Sequence, residues 1–222
     1  KYEDWTKRAW VPKYWNETGF VLCDSLGGRG LAQIVPFKWW IESEDFYAPA
    51  DIRNSKYSIK RDWYYNNPAT PELFGKKCEI TEETWSKCSV FPTITKFNYG
   101  KTDDDPAYAG NNKDRMKFRL AETYLLLAEA RLQQGNAQGA AEAINVVRKR
   151  AGAPEITASQ ATIDFLLDER IRELVGEELR RFTLVRTGKL VERTRKYNSY
   201  SSKIDEHNTL WPIPQSIIDS NT

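Results

Sequence analysis

The chain has 222 residues, enough for one large domain or two small ones, and a globule of this size removes roughly 70% of its unfolded surface from water. With 33 Lys and Arg against 31 Asp and Glu, the net charge of +2 provides no overall field for a polyanion or an anionic membrane surface, which argues against nucleic acid as a partner. No apolar run approaches the roughly 20 residues that span a bilayer, and the start Lys1-Tyr2-Glu3-Asp4-Trp5 reads as neither a signal peptide nor a lipid-attachment segment, so the expectation is a soluble protein or a fragment.

Aromatic residues divide the chain. Of 28, 20 lie in residues 1–100, with seven of the eight tryptophans, among Pro, Gly and Asn. Gly19 to Cys23 and Ser89 to Asn98 read as short strands, alternating with turn signals at Leu26-Gly27-Gly28-Arg29-Gly30 and Asn66-Asn67-Pro68. Cys78 and Cys88 flank nine residues and form either a small disulfide loop or two reduced, half-buried thiols; Cys23, in Phe20-Val21-Leu22-Cys23, reads as a small core residue. A polar joint from Asp103-Asp104-Asp105-Pro106 to Asn111-Asn112 ends this half.

From Arg115 the period turns helical. Ala121, Leu125, Ala128 and Leu132 share one face, Gly135-Asn136 stops the helix, and a second stripe runs through Ala137, Ala140, Ala141, Ile144, Val147 and Ala151 to Gly152 and Pro154. Two such helices with a short joint make an αα-hairpin of the tetratricopeptide-like kind, and a free-standing array needs about three. A third helix is expected from Thr162 to Thr187, closed by Gly188, with Glu169, Arg172, Glu173, Glu177, Arg180 and Arg181 at ion-pair spacings. Two prolines in Leu210-Trp211-Pro212-Ile213-Pro214-Gln215 keep that segment extended. The fold class expected is mainly α: helical hairpins with a large irregular, aromatic-rich loop and short-strand region. Residues 1–114 form the irregular part and 115–222 the helical part, not independent domains.

Three ordered motifs resemble the SusD/RagB family. Arg119-Leu120-Ala121-Glu122-Thr123-Tyr124-Leu125-Leu126-Leu127-Ala128-Glu129-Ala130 with Ile144-Asn145-Val146-Val147-Arg148 and Arg150-Ala151-Gly152 is similar to its helical hairpin. Glu169-Arg170-Ile171-Arg172-Glu173-Leu174, continuing through Glu177, Arg180, Phe182 and Leu184-Val185-Arg186-Thr187-Gly188, is similar to its signature helix, and Leu210 to Gln215 with Asn221 to its C-terminus. Thr183 departs from the family's usual Asp. Gly30 to Trp40 with Asp51-Ile52-Arg53 is similar to a stretch ahead of those helices. The resemblance implies the C-terminal half of an outer-membrane nutrient-binding lipoprotein at the bacterial cell surface, anchored through an N-terminal part outside this chain. It also implies a non-catalytic lid that passes oligosaccharides, or in some members peptides, to a SusC-like TonB-dependent transporter. A general repeat-type interaction module is the alternative from another class.

The chemistry in the residues points to binding. The single His207 cannot supply a zinc hydrolase, Asp103 to Asp105 fail the calcium-loop pattern, and Gly27 to Gly30 do not form a phosphate cradle, so no catalytic residue, metal or cofactor is assigned. Paired carboxylates among Glu82, Glu83 and Asp103 to Asp105 remain the other chemical option. A Trp or Tyr ring covers the CH face of a sugar at low entropic cost while polar side chains take its hydroxyls. The ligand-binding candidates are therefore Trp15, Trp39, Trp40 and Tyr65 as stacking rings and Arg29 on the Gly-rich turn as donor, with Trp10, Trp63 and Tyr64 in the same aromatic runs. Arg119, Glu122, Glu129, Arg148, Glu169, Arg170 and Glu173 are expected to tie the helices together rather than touch ligand.

Overall fold

The structure is a computed structural model that describes residues 6–98 and 116–221; the acidic joint around Asp103 lies outside the described residues. Up to residue 98 every regular element is short: α1 (Thr6–Trp10), α2 (Lys38–Ile41), β1 (Ile59–Lys60), β2 (Trp63–Tyr64), β3 (Lys77–Cys78), α3 (Glu82–Ser86) and β4 (Thr93–Ile94). The strands form two antiparallel ribbons, β1 with β4 and β2 with β3, with Ile59 opposite Ile94 and Trp63 opposite Cys78. Two-residue ribbons have little stability of their own. Side chains supply what backbone ladders do not. Tyr14, Phe20, Trp63, Cys78 and Val90 are buried with Val11 in one cluster. Buried polar atoms anchor on backbone: the Tyr14 hydroxyl donates to the Cys23 carbonyl and accepts from the Cys23 amide, Trp63 Nε1 donates to Phe91 O at 3.1 Å, and the Thr93 hydroxyl donates to Trp10 O at 2.6 Å.

The strand expected at Gly19 to Cys23 does not form. The Asn66 carboxamide takes the place of a neighbouring strand, accepting from Val21 N at 2.9 Å and donating to Val21 O at 3.0 Å. Ser89 to Asn98 contains only β4. Cys23, Cys78 and Cys88 are free thiols; Cys23 is half-buried, its sulfur 2.8 Å from the Ser25 hydroxyl, and Cys78 is buried.

The helical part begins with α4 (Leu120–Gln133) and α5 (Ala137–Arg150), an antiparallel hairpin as the periodicity anticipates. Ala121, Leu125 and Ala128 of α4 and Ala140, Ala141, Ile144 and Val147 of α5 are buried, and the alanines let the axes approach. The joint is tight because Asn136 serves both helices: its amide donates to Arg131 O, and its side chain caps α5 by accepting from Gly139 N at 2.8 Å. Arg131 closes the hairpin with a 2.6 Å bond to Gly139 O.

The third helix is shorter than its charge pattern implies. α6 (Ile163–Leu174) ends early, a turn with Gly176 at φ +78 follows, and α7 (Arg180–Arg186) starts afresh. A left-handed residue breaks the i to i−4 ladder, and the apolar and charged periodicity on both sides conceals the break. α8 (Leu190–Tyr197) and α9 (Gln215–Asp219) complete the chain, with Leu210 to Pro214 irregular between them. The fold is mainly α, with tetratricopeptide-like hairpin geometry and a large irregular lobe. It divides into two compact units, Lys1–Glu173 and Leu174–Thr222. Among the described residues no helix is long and apolar enough to cross a membrane.

Leu125 is wholly buried between the hairpin helices while its neighbour Leu126 is 41% exposed. Leu125→Ala is expected to cost about 2–5 kcal/mol and Leu126→Ala less than about 1 in this chain, read as urea midpoints at constant m.

Candidate binding site

The aromatic lobe is fixed to the helices by an ionic lattice on α6. Glu169 and Glu173 are four residues apart and so share one helix face, and both are buried. Glu169 Oε2 accepts from Arg148 Nη1 at 2.8 Å and Arg172 Nη1 at 3.0 Å, and its Oε1 is 2.9 Å from Arg53 Nη1. Glu173 accepts from Arg119 at 2.5 Å, Arg150 at 2.7 Å and Arg53 at 3.1 Å. Arg53 comes from the lobe, and Asp51 holds its other edge through Nε and Nη2 at 2.8 and 2.7 Å. Burial pushes the Glu173 carboxyl up, but the hydrogen bond from Arg119 and the charges of Arg119, Arg150 and Arg53 outweigh it and hold the group below the usual carboxylate range. Burial alone would lower the Arg53 pKa; Asp51 and Glu169 reverse that and raise it. Arg170 is buried, with Glu122 Oε1 at 3.8 Å. These side chains face one another and are structural in character.

A second contact set positions the aromatic residues. Arg172 donates through Nε to Phe46 O at 2.6 Å and lays its guanidinium 4.4 Å from the Phe46 ring centroid. Around Phe46 stand Trp39, edge-on at 5.3 Å, Trp40 at 6.5 Å and Tyr47 at 5.2 Å. Arg61 bonds Ile41 O and the Asn54 side chain, which ties α2 to the turn holding Arg53.

At the Gly-rich turn the chain is pressed against the segment beside α1. Leu31, Ala32 and Ile34 donate to the carbonyls of Arg8, Val11 and Ala9. Any side chain at Gly30 would put its Cβ 2.0 Å from Pro12 O, so only glycine permits this approach. Trp15 Nε1 donates to Gly30 O at 3.2 Å and Arg8 Nε to Arg29 O at 2.9 Å. The Arg29 side chain is thereby sent outward, its guanidinium 5.2 Å from the Trp15 ring centroid, and no carboxylate among the described residues pairs with it.

The five candidate residues fall into two groups. Trp15 and Arg29 are together on the surface, and Tyr65 borders the same buried cluster as Trp15, its ring 4.9 Å from that of Phe20. The Tyr65 hydroxyl is pushed up to about 12, first by its hydrogen bond with Cys78 and then by burial. Trp39 and Trp40 belong to the Phe46 cluster instead. Trp40 is 5% exposed and Trp63 0%, and Trp10 is buried as well, so these three rings are core. Within residues 6–98 the exposed rings are Tyr57, Tyr64 and Phe74. Of the carboxylates weighed for catalysis, Glu82 is paired with Lys38 and Glu83 with Lys87. Among the described residues no group of His, Cys, Asp and Glu is arranged to hold a metal.

A model of the SusD family matches residues 41–222, which takes in the lattice on α6, the hairpin, and Phe46 with Tyr47, but not Trp39 and Trp40. The chain belongs to the SusD family. Similar curated proteins are SusD-like protein P25 of Formosa agariphila, 29% identical over 141 residues that cover 59% of this chain and 27% of that protein. Starch-binding protein SusD of Bacteroides thetaiotaomicron is 33% identical over 138 residues, 58% of this chain and 24% of that protein. The match thus spans about a quarter of these relatives' own length. Among solved structures, surface glycan-binding protein A from Bacteroides thetaiotaomicron superposes with a TM-score of 0.54 at 25% identity, over 81% of this chain and 38% of that one.

The SusD-family signature at Glu169 to Leu174 acquires a physical meaning from the lattice: it sets two buried carboxylates on one helix face for arginines from three other segments. Thr183 is buried and donates to Glu178 at 3.2 Å. Sequence reasoning missed Arg53 and Arg150 as members of the lattice, whereas the ion-pair spacing of Arg172 with Glu169 is realised. The adjacent Asp51-Ile52-Arg53 was the available signal, an acid and a base two apart in a turn otherwise poor in charge.

Removing one partner of a buried ion cluster strands the others, so Glu169→Gln is expected to cost about 3–5 kcal/mol. Glu173, with its depressed carboxyl, stabilises the fold above the unfolded value near about 4.3 and loses that contribution as pH falls through its folded value. Glu173→Gln should therefore be less stable than the parent at pH 7, with the gap between their urea midpoints closing below about pH 4.

Proposed function

We propose that this protein is a non-catalytic glycan-capture subunit of a bacterial outer-membrane uptake system, which takes up oligosaccharide through its aromatic lobe and passes it to a SusC-like TonB-dependent transporter. The observation that carries this reading is the Trp15–Arg29 pair. A partly buried indole is locked by its own Nε1 to the Gly30 carbonyl, and over its ring lies a guanidinium with no carboxylate partner among the described residues. Ring and donors are preorganised, so a sugar stacking there immobilises little that is not already fixed. Family membership and the names of relatives that bind starch or surface glycan support the ligand class. Lipid anchoring at the cell surface, through sequence outside this chain, belongs to the same reading. Tyr65 and Trp39, both half-buried, are secondary candidates for ligand contact; Trp40 is the least suited of the five because its ring is enclosed.

Calorimetric titration with maltoheptaose and a panel of other oligosaccharides, with a peptide control, tests the proposal. Trp15→Ala is expected to weaken binding roughly 5-fold to 150-fold, about 1–3 kcal/mol by analogy with aromatic stacking on bases, at an unchanged melting temperature. Trp40→Ala is expected to melt much earlier, losing about 3–5 kcal/mol. Loss of binding by Trp15→Ala only in step with loss of folding would remove Trp15 from the site.

A further inference from the structure

Arg148, Arg172 and Arg181 each lie with the guanidinium over a ring, that of Phe165, Phe46 and Trp211 in turn. All three also donate to an acceptor: Arg148 and Arg172 to Glu169, and Arg181 to Asn208 O. Arg29 lies over Trp15 in the same way, but no carboxylate or carbonyl among the described residues receives its N–H groups. The turn around it leaves no acceptor free for the purpose. Arg29 O already accepts from Arg8 Nε and Gly30 O from Trp15 Nε1. Asp24, the acid nearest to Arg29 in sequence, is paired with Lys7 at 3.2 Å. Because Gly30 is pressed against Pro12, the backbone from which Arg29 projects has little freedom to move. The result is an exposed and permanently charged donor held at one place on an indole, without a counter-charge among the described residues.

We infer that the Trp15–Arg29 site selects acidic oligosaccharides, whose sugars carry a carboxylate or a sulfate ester, over their neutral counterparts. The inference rests on the reading of this pair as the sugar site and narrows its ligand class. A sugar hydroxyl gains little at an exposed guanidinium, because it replaces a water that bonds nearly as well. A carboxylate or a sulfate instead meets the fork with two parallel, charge-assisted N–H···O bonds. The cation–π contact with which such an anion competes is weak at an exposed site. The net charge of +2 supplies no long-range attraction for an acidic chain, so the preference is local to this pair and of moderate size.

Calorimetric titration of the full-length protein with paired oligosaccharides tests the inference. Oligogalacturonate, oligoalginate and a carrageenan oligosaccharide are each compared with their own carboxyl-reduced or desulfated form, and an oligoglutamate peptide is the control. At least one acidic member is expected to bind about tenfold or more tightly than its neutral form at low salt. That ratio should fall as salt is raised to about 0.5 M. Arg29→Gln should bring the ratio to about one, and Arg29→Lys, which keeps the charge but not the fork, to an intermediate value, both at an unchanged melting temperature. The uronate and sulfate pairs tell which anion is read. Should Arg29→Gln melt earlier, the ratio in Arg29→Lys and the salt dependence of the parent protein decide in its place. A ratio near one in the parent protein, a ratio that survives in Arg29→Gln, or oligoglutamate bound more tightly than every acidic glycan overturns the inference. Neutral oligosaccharides bound through Trp15 with no acidic preference overturn it alone, whereas no oligosaccharide bound at all overturns the reading of the site as well.

Discussion

Two buried carboxylates on one face of α6 set the terms for everything around them. Taking Glu169 and Glu173 out of water carries a desolvation penalty of several kcal/mol each, which only converging positive charge and hydrogen bonds can offset. That charge arrives from α5 as Arg148 and Arg150, from α6 as Arg172, from just ahead of α4 as Arg119, and from the lobe as Arg53. Arg53 is the member without which lobe and helices would be separate problems. Its two edges engage Asp51 on one side and Glu169 with Glu173 on the other, so the 51–54 turn cannot shift without stranding a charge. Ionic geometry of this kind contributes modest net stability but strong uniqueness of arrangement, because any alternative packing leaves a buried ion unpaired.

That uniqueness matters in a lobe with almost no secondary structure. Its helices run to five residues at most and its ribbons to two-residue pairings, so neither offers a cooperative ladder. Order comes instead from bulky rings whose polar atoms reach backbone carbonyls, as Trp63 does with Phe91 and Trp15 with Gly30, and from Asn66, whose amide completes an absent strand. The same rings that stabilise the lobe are the type that bind sugars. Enclosure decides between the roles: Trp63 and Trp40 are shut inside, whereas Trp15 is held at the boundary by one hydrogen bond and one guanidinium.

What the sequence made legible follows from the range of the interactions. The hairpin was readable because Ala121, Leu125 and Ala128 obey a local period, and its stop because Gly135-Asn136 is local turn chemistry. The split of the third helix was not, since apolar and charged spacing continue on both sides of Gly176 and one residue's backbone angle decides the outcome. The strand expected at Gly19 to Cys23 failed for a related reason: its composition is strand-like, but the partner it finds is a side chain 45 residues away. Within the site, the motifs located Glu169 and Glu173, yet Arg53 lies 120 residues from Glu173 and nothing in spacing joins them. Trp39 and Trp40 looked alike as neighbours, and only packing around Phe46 separates a half-buried ring from an enclosed one.

The two anchoring systems also share a residue. Arg172 gives Nη1 to Glu169 and Nε to the Phe46 carbonyl while its plane covers the Phe46 ring. The ring cluster of Trp39, Trp40 and Tyr47 is thus held by the same guanidinium that completes the ionic lattice. A guanidinium serves here where an ammonium would not, because its planar fork reaches a carboxylate and a carbonyl at once and its face stacks on an arene. Burial of the neighbouring Tyr47 hydroxyl, which raises its pKa first of all through desolvation, keeps that phenol neutral among the charges. The aromatic side of the molecule is in this way made rigid from beneath by α6. Surface rings such as Trp15 then meet solvent from a lobe whose shape is set by buried charge rather than by β-structure.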